Sequence, residues 1–372
     1  MAKGKSQKTK TPMGVKNGLL LALSIMMIVS SVLLAGYTSV MNWTPLAEVV
    51  ESTNEDGTVV QTSSAVIDEE IKTPVSQQNQ VVNFLVAGID YNTTDASAGV
   101  SRGKLTDVIM VVQIDLGAGT VQALQIPRDT WVGTNVSSTG KINAVYGSRN
   151  IDGLAEVIYD RFSLPIDHYV TVDMDGFIKI VDAMGGVPVT IEESFTLEGV
   201  SFSPGEHVLS GIEAEKFVRE RHSRSGGDIG RINAQRQFLA GLFSKMKSLS
   251  GSELASLSGV VMENVSTDLS VGTALSLVQE ILKMDTDNMS FYMVPGQTAT
   301  AYNGQSIWSV HKEELADLLN EHFRPYSDDV PASELSVEEV ANTVDYYDDN
   351  SATVTDLLGG NDEEEEEVSD AA

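Results

Sequence analysis

Val82-Asn-Phe-Leu-Val-Ala-Gly88, Val108-Ile-Met-Val-Val-Gln-Ile114 and Val121-Gln-Ala-Leu-Gln-Ile126 decide the architecture of this chain. Runs this apolar predict strands covered on both faces. Around them the spacing alternates. Helical patterns fall at 154–162, 174–184, 212–218, 229–246, 274–282 and 312–322, with further strands at 168–172, 187–191 and 289–294. Gly185-Gly186 ends one helix, and Pro188 places the following strand at an edge. Strands and helices in this order predict a layered α/β/α sandwich with a mixed central sheet, over residues 81–325. There is no internal repeat.

The flanks differ in composition. Lys3, Lys5, Lys8, Lys10 and Lys16 fall in a basic segment, 1–17, before an uncharged stretch at 18–40. At about 1.5 Å per residue, that stretch spans a bilayer core of about 30 Å. It reads as an uncleaved transmembrane helix, with the basic end cytoplasmic and the remainder outside. Residues 41–80, rich in Ser, Thr, Val, Glu and Gln, read as an extracytoplasmic stalk. Residues 326–372 hold sixteen carboxylates and no Lys or Arg, which predicts a disordered acidic tail.

Charge and cysteine usage narrow the function. All 53 carboxylates but only 19 of the 24 basic residues follow residue 40, a net charge of −34 on that part. Such a surface argues against nucleic acid as a partner. With no cysteine, disulfides, zinc–thiolate sites and thiol nucleophiles are excluded. There is no Gly-x-Ser-x-Gly elbow, His-Glu-x-x-His pair or Walker A loop.

Against this acidic background the arginines cluster. Nine of ten lie between Arg102 and Arg236, five of them being Arg219, Arg221, Arg224, Arg231 and Arg236. A guanidinium offers a permanent charge and a fork of donors that fits phosphate oxygens. Surface pairing with the many carboxylates explains scattered arginines better than it explains Arg219-Glu-Arg221 followed by Gly227-Asp-Ile-Gly-Arg231. Arg231 and Gln235, four apart, share a helix face, and a helix N-terminus adds its own preference for anions.

Three further stretches carry candidate chemistry. Ser101-Arg102-Gly-Lys-Leu-Thr-Asp107 runs into a strand. Asp107, with Asp95 in the preceding loop, is a candidate oxygen site for Mg²⁺ or Mn²⁺, or else a turn cap. Ile126-Pro-Arg128-Asp129 ends a strand where ligands gather in open α/β sheets; an ordinary surface ion pair is the alternative. Lys141-Ile-Asn143 places two polar side chains on one side, to meet phosphate or sugar, or to decorate a turn. His168, at the start of a strand, reads as structural.

Gly103-Lys-Leu-Thr-Asp107, Ile126-Pro-Arg-Asp129, Lys141-Ile-Asn143 and Arg219-x-Arg221 with Asp228-x-Gly-Arg231 and Gln235 together resemble the LytR-CpsA-Psr family of membrane-anchored wall enzymes. The resemblance covers roughly 81–249. Leu105 and Ala234 depart from it, each standing where the family often has a basic residue. It implies a phosphotransferase that moves a glycopolymer (teichoic acid, capsule or similar) from a polyprenyl-pyrophosphate carrier to peptidoglycan in a Gram-positive envelope. Asp95 and Asp107 would hold Mg²⁺. Arg102, Arg128, Lys141, Asn143, Arg219, Arg221, Arg231 and Gln235 would surround the pyrophosphate. Asp107, Arg128, Asp129, Arg219, Arg221 and Arg231 would serve the reaction, with Asp107 or Asp129 as the proton acceptor. The helices at 174–184 and 229–246 are candidates to line a groove for the prenyl chain. A pyrophosphate hydrolase and a non-catalytic envelope sensor are the competing readings.

Overall fold

The computed structural model of the chain describes residues 50–53, 59–62, 67, 71–73, 81–90, 104–191, 194–197, 199–220, 228–343 and 351–359. The expected cytoplasmic segment and membrane helix lie outside them, as do Asp95, Arg102, Arg221 and the side chain of Asp228. Among the described residues, no helix is long and apolar enough to cross a membrane.

In chain order the elements are β1 (Val50–Thr53), β2 (Val59–Thr62), β3 (Val81–Ile89), β4 (Thr106–Asp115), β5 (Thr120–Gln125), α1 (Val145–Phe162), β6 (His168–Asp173), α2 (Met174–Ala183), β7 (Val187–Ile191), β8 (Phe195–Leu197), β9 (Val200–Phe202), β10 (Gly205–Leu209), α3 (Gly211–Arg219), α4 (Asp228–Ser248), α5 (Gly251–Asn264), β11 (Val265–Thr267), α6 (Val271–Ile281), β12 (Met289–Met293), β13 (Gly296–Thr300), β14 (Ser306–Val310), α7 (Lys312–His322), β15 (Ala352–Thr353) and α8 (Val354–Leu357). A seven-stranded sheet in the order β11-β6-β3-β4-β5-β12-β15 forms the centre. β3 runs parallel to β6 and β5 to β12, while the other pairs are antiparallel, so the sheet is mixed as expected.

Strand alternation divides the apolar residues between two layers. Leu85, Ala87, Ile109, Val111 and Leu124 face a core completed by Leu154 and Ile158 of α1 and Leu315 and Leu319 of α7. Met110, Ala123, Met289 and Phe291 face the opposite layer, with Ala240 of α4. This is the α/β/α sandwich. A second core joins β7–β10 to α2, α3 and α4 through Val181, Phe217 and Phe238. The helix expected at 174–184 therefore spends Phe177 and Val181 on this second core, leaving α4 and α6 to cover the far face of the sheet. α4 contributes to all three cores, through Ile232, Ala234 and Phe238, and Ala240. Its approach to β7 is so close that a Cβ at Gly241 would stand 1.9 Å from the Pro188 carbonyl oxygen.

Several local expectations are corrected. α1 begins nine residues earlier than its apolar spacing shows, because a kink at Asn150 (φ 58°) shifts the helical phase. α5 escaped the apolar count, although its Ser250/Glu253 capping box announces it. The stalk and tail boundaries also move. Ile67 and Ile71 enter the main core, and Thr73 donates its backbone and hydroxyl protons to Asp167 at 2.8 and 2.7 Å. Beyond residue 325, Ala332 and Leu335 enter the same core, and Trp131 Nε1 donates to Glu338 at 2.8 Å. Further on, β15 joins the sheet edge and Val354 is buried under it. These stretches are acidic on average, yet Ile67, Ile71, Ala332, Leu335 and Val354 within them are buried; residues 344–350 and 360–372 of the expected tail lie outside the described residues.

Candidate functional site

The polar residues gather where β3 and β5 end and β4 begins. Two backbone irregularities aim them. In the β3–β4 pair, Gly88 faces Val108 and Ile89 faces Thr106, so the register passes over Asp107. A residue bulged out in this way has its side chain re-aimed, here toward the strand ends. After β5, Pro127 opens a tight turn whose carbonyl accepts the Thr130 amide at 2.9 Å and the Thr130 hydroxyl at 2.6 Å. Arg128 is thereby carried back across the sheet end.

Arg128 Nη1 stands 2.5 Å from Asp107 Oδ1, and its Nε lies 4.0 Å from Asp129 Oδ1. Lys141 Nζ meets the same Asp129 oxygen at 3.1 Å. Lys141 is held by an isolated bridge to Trp131, and Asn143 N donates to the Arg128 carbonyl at 3.2 Å. Asn143 is buried, and its backbone carbonyl accepts the Thr106 hydroxyl at 3.4 Å. Through these two backbone bonds Asn143 ties the Arg128 turn to the start of β4.

The second cation comes from the end of α3. Arg219 Nη1 donates to Glu215 one turn earlier, and Nη2 lies 3.9 Å from Asp90 Oδ1. Burial lowers the affinity of this guanidinium for its proton. The Glu215 hydrogen bond and the charges of Glu215, Asp90 and Asp107 outweigh that and raise its pKa above the ordinary arginine value. Arg219 therefore feels both strand-end carboxylates. Asp90 extends β3 by one residue, its amide donating to Leu105 O at 2.8 Å. From the sequence, Asp95 is singled out and Asp90 is not, although an acid at the lip of a buried strand is the pattern that marks Asp107, which stands at a strand's start where Asp90 stands at a strand's end.

α4 adds a buried polar layer beneath. Gln125 Nε2 donates to Gln235 Oε1 at 2.7 Å, Gln235 Nε2 to Val218 O at 3.2 Å, and Arg236 Nε to Gln125 Oε1 at 3.3 Å. Gln235 thus locks β5, α4 and the end of α3 together, which makes it a positioning residue. Arg231 and Arg236 keep only 4% and 1% of their exposure. Other arginines of the cluster are structural: Arg149 pairs with Glu156, and Arg161 donates to the carbonyls of Ser336 and Val132. His168, bonded through Nδ1 to Asp268 at 2.8 Å, is structural as expected.

The described site is therefore an alternation of carboxylates (Asp90, Asp107, Asp129) and cations (Arg128, Lys141, Arg219). Among the described residues, no three His, Cys, Asp or Glu side chains cluster as a self-sufficient metal site. Two carboxylates at neighbouring strand ends would hold a hard divalent cation only with ligand oxygens and water completing the shell.

Comparison with known proteins places the chain in a family. The LytR_cpsA_psr family model matches residues 48–324. The chain is 30% identical over 260 residues to a polyisoprenyl-teichoic acid–peptidoglycan teichoic acid transferase, TagU, of Bacillus cereus (strain AH820), covering 66% of this chain and 80% of the relative. It is 32% identical over 216 residues to TagV of Bacillus subtilis (strain 168), named for the same activity, covering 55% of this chain and 54% of the relative. The crystal structure of B. subtilis TagV superimposes with a TM-score of 0.57 at 29% identity, over 67% of this chain and 99% of that one. A structure of TagT bound to LIIa-WTA shares the fold, with a TM-score of 0.53 at 21% identity over 65% of this chain and 89% of that one. The chain is a member of the LytR-CpsA-Psr family.

Proposed function

We propose that this chain transfers a glycopolymer of the teichoic acid type from a polyprenyl-pyrophosphate carrier to peptidoglycan, forming a phosphodiester. One observation carries the reading. The carboxylate–arginine alternation adjoins, through Asp107 and Val108, an apolar layer whose strand residues are only partly covered. Asp107 is followed directly by Val108. Val86, Val108 and Val112 on central strands remain only partly buried against Leu239 and Phe243 of α4 and Ile281 and Met284 near α6. A charged head held by arginines, with an apolar chain running under α4, matches a polyprenyl pyrophosphate. The relatives named as teichoic acid transferases support the same substrate class.

The chemistry follows from the charges. An acceptor sugar hydroxyl attacks the phosphorus that bears the glycopolymer. Its oxygen forms the new P–O bond, the bond to the bridging oxygen breaks, and polyprenyl phosphate leaves. The hydroxyl proton passes to a carboxylate, for which Asp107 and Asp129 are the candidates. Arg128, Lys141 and Arg219, with Arg221 and Arg231, hold the charge that develops on the phosphates. In the chain by itself these cations already face carboxylates, so a pyrophosphate that engages them must free Asp90 and Asp107. A divalent cation is the natural partner for the released pair. Mg²⁺, or Mn²⁺, is proposed there, with Asp90 beside Asp107 and with Asp95 as a further oxygen donor. When bound it would neutralise phosphate charge as a Lewis acid.

The proposed setting is a Gram-positive cell membrane, with residues 18–40 as the anchor and the domain outside. The test uses the full chain in detergent with a lipid-pyrophosphate saccharide, Mg²⁺ and peptidoglycan oligomers, followed by mass spectrometry. A saccharide–phosphate–peptidoglycan adduct that Asp107→Ala abolishes supports the transferase. Saccharide phosphate released without an adduct points to a hydrolase. Binding without turnover points to a sensor.

A further inference from the structure

The site has one more neighbour that the transfer chemistry has not used. A cleft of about 500 Å³ opens between α1, β6, α2 and β11, lined among others by Lys104, Tyr146, Asp175, Lys179 and Glu263. One rim of it is the backbone of the phosphate site. Ile89, in its lining, immediately precedes Asp90, and Lys104 adjoins Leu105, whose carbonyl accepts the Asp90 amide. The start of α1 is pressed on the same loop, since a Cβ at Gly147 would stand 3.0 Å from the Lys104 carbonyl oxygen.

We propose that this cleft receives the acceptor, a peptidoglycan glycan strand, and delivers its hydroxymethyl group to the Asp107–Arg128 end of the sheet. The inference rests on the transferase reading above. Two observations support it. The first is the lining. Two lysines, three carboxylates, an amide, hydroxyls and one phenol ring offer polar partners of both signs, with Ile89 and Val265 as the aliphatic contributions. That composition suits an oligomer rich in hydroxyl and amide groups that carries carboxylates and amines, and it offers a prenyl chain only Ile89 and Val265 as aliphatic side chains. Tyr146 supplies a half-buried ring, with Thr171 in the same lining.

The second observation is placement. The apolar layer lies under α4 and α6 on one face of the sheet. Tyr146 packs on the core of the opposite face. The leaving lipid phosphate and the arriving hydroxyl are thereby drawn from opposite sides of the Asp107–Arg128 pair. Phosphoryl transfer needs the entering and leaving oxygens roughly in line. A second cleft, of about 240 Å³ beside Asp129, is walled by Ile229, Ile232, Ile307 and Trp308 and is too small for more than a sugar unit.

The experiment uses the full chain and a peptidoglycan oligomer bearing a photo-cross-linking group, with a Lys179→Ala/Glu263→Ala double variant. Both side chains are exposed, so their truncation leaves the fold intact. Cross-links should fall on residues 173–179 and 263–266. The variant should raise the KM for the oligomer about tenfold, a loss of about 1.4 kcal/mol. Its Kd for the lipid-pyrophosphate saccharide should stay at the parent value. Lys283→Ala, on an exposed surface outside the cleft, should leave the acceptor KM unchanged. Cross-links elsewhere, or an unchanged acceptor KM in the double variant, overturn the proposal while the transferase reading stands. Cross-links in the cleft from a chain that forms no adduct would leave a glycan-binding cleft and overturn its role in transfer.

Discussion

Arg128→Ala tests the centre of the site because it touches both stability and rate, and the structure separates the two. The Arg128–Asp107 contact is 2.5 Å, with side chains 17% and 14% exposed. At an effective dielectric of about 20, unit charges at that distance attract by about 7 kcal/mol. Desolvation of two largely covered groups offsets most of this. Removing the arginine alone strands Asp107 and is expected to cost about 2–3 kcal/mol. In a domain of this size that lowers Tm by about 4–10 °C. The rate should fall further, by about 10³-fold or more, since an arginine that holds transferring phosphoryl charge contributes about 4 kcal/mol or more to the barrier. Adding Asp107→Ala removes the stranded carboxylate. The double variant should therefore regain about 1–2 kcal/mol over Arg128→Ala while recovering no activity. Thermal melting reads the first quantity and mass-spectrometric product analysis the second. A folded Arg128→Ala chain within about threefold of the parent rate would refute the assigned role. A double variant no more stable than the single would refute the pairing argument.

Other expectations follow from particular contacts. Leu335→Ala should cost about 2–5 kcal/mol, because Leu335 is 1% exposed in the main core; truncation after Pro325 should accordingly lower the melting temperature sharply, and an unchanged melt would contradict the packing of the acidic segment. Gly241→Ala has no room against the Pro188 carbonyl and should cost about 3 kcal/mol by denaturant titration, with a neutral result excluding the close α4–β7 approach. Burial raises the Asp167 carboxyl above its ordinary range, against lowering by hydrogen bonds from Asn83 and Thr73 and by the nearby His168. The folded chain therefore keeps this proton to higher pH than the unfolded chain. Its contribution is full below the ordinary carboxylate pKa and is lost as pH rises through the elevated one, so Asp167→Asn should flatten that part of a Tm–pH profile. Asp90→Asn should raise the Mg²⁺ concentration needed for half-maximal transfer, and an unchanged requirement would remove Asp90 from the proposed metal pair.

Local patterns carried everything that could be read from the chain before its fold was known. Val82–Gly88, Val108–Ile114 and Val121–Ile126 are legible as buried strands because continuous apolar runs have few other uses, and the helices between them make the layered sandwich follow. Arg128, Arg219 and Asp107 were legible because a guanidinium cluster or an acid at a strand lip is unusual in so acidic a chain. How these residues meet is a matter of tertiary structure. The bulge that turns Asp107 outward depends on a register between β3 and β4, and register is a property of two strands, not of either. Asp90 became part of the site when the end of α3 brought Arg219 within 3.9 Å of it, across 129 residues of chain. Gln235 shares a helix face with Arg231 in the sequence, yet β5 places Gln125 against it and makes it a strut. The acidic end read as tail because composition averages over residues. Leu335 and Val354 are buried because the fold presents each with an apolar surface that no stretch of sequence contains.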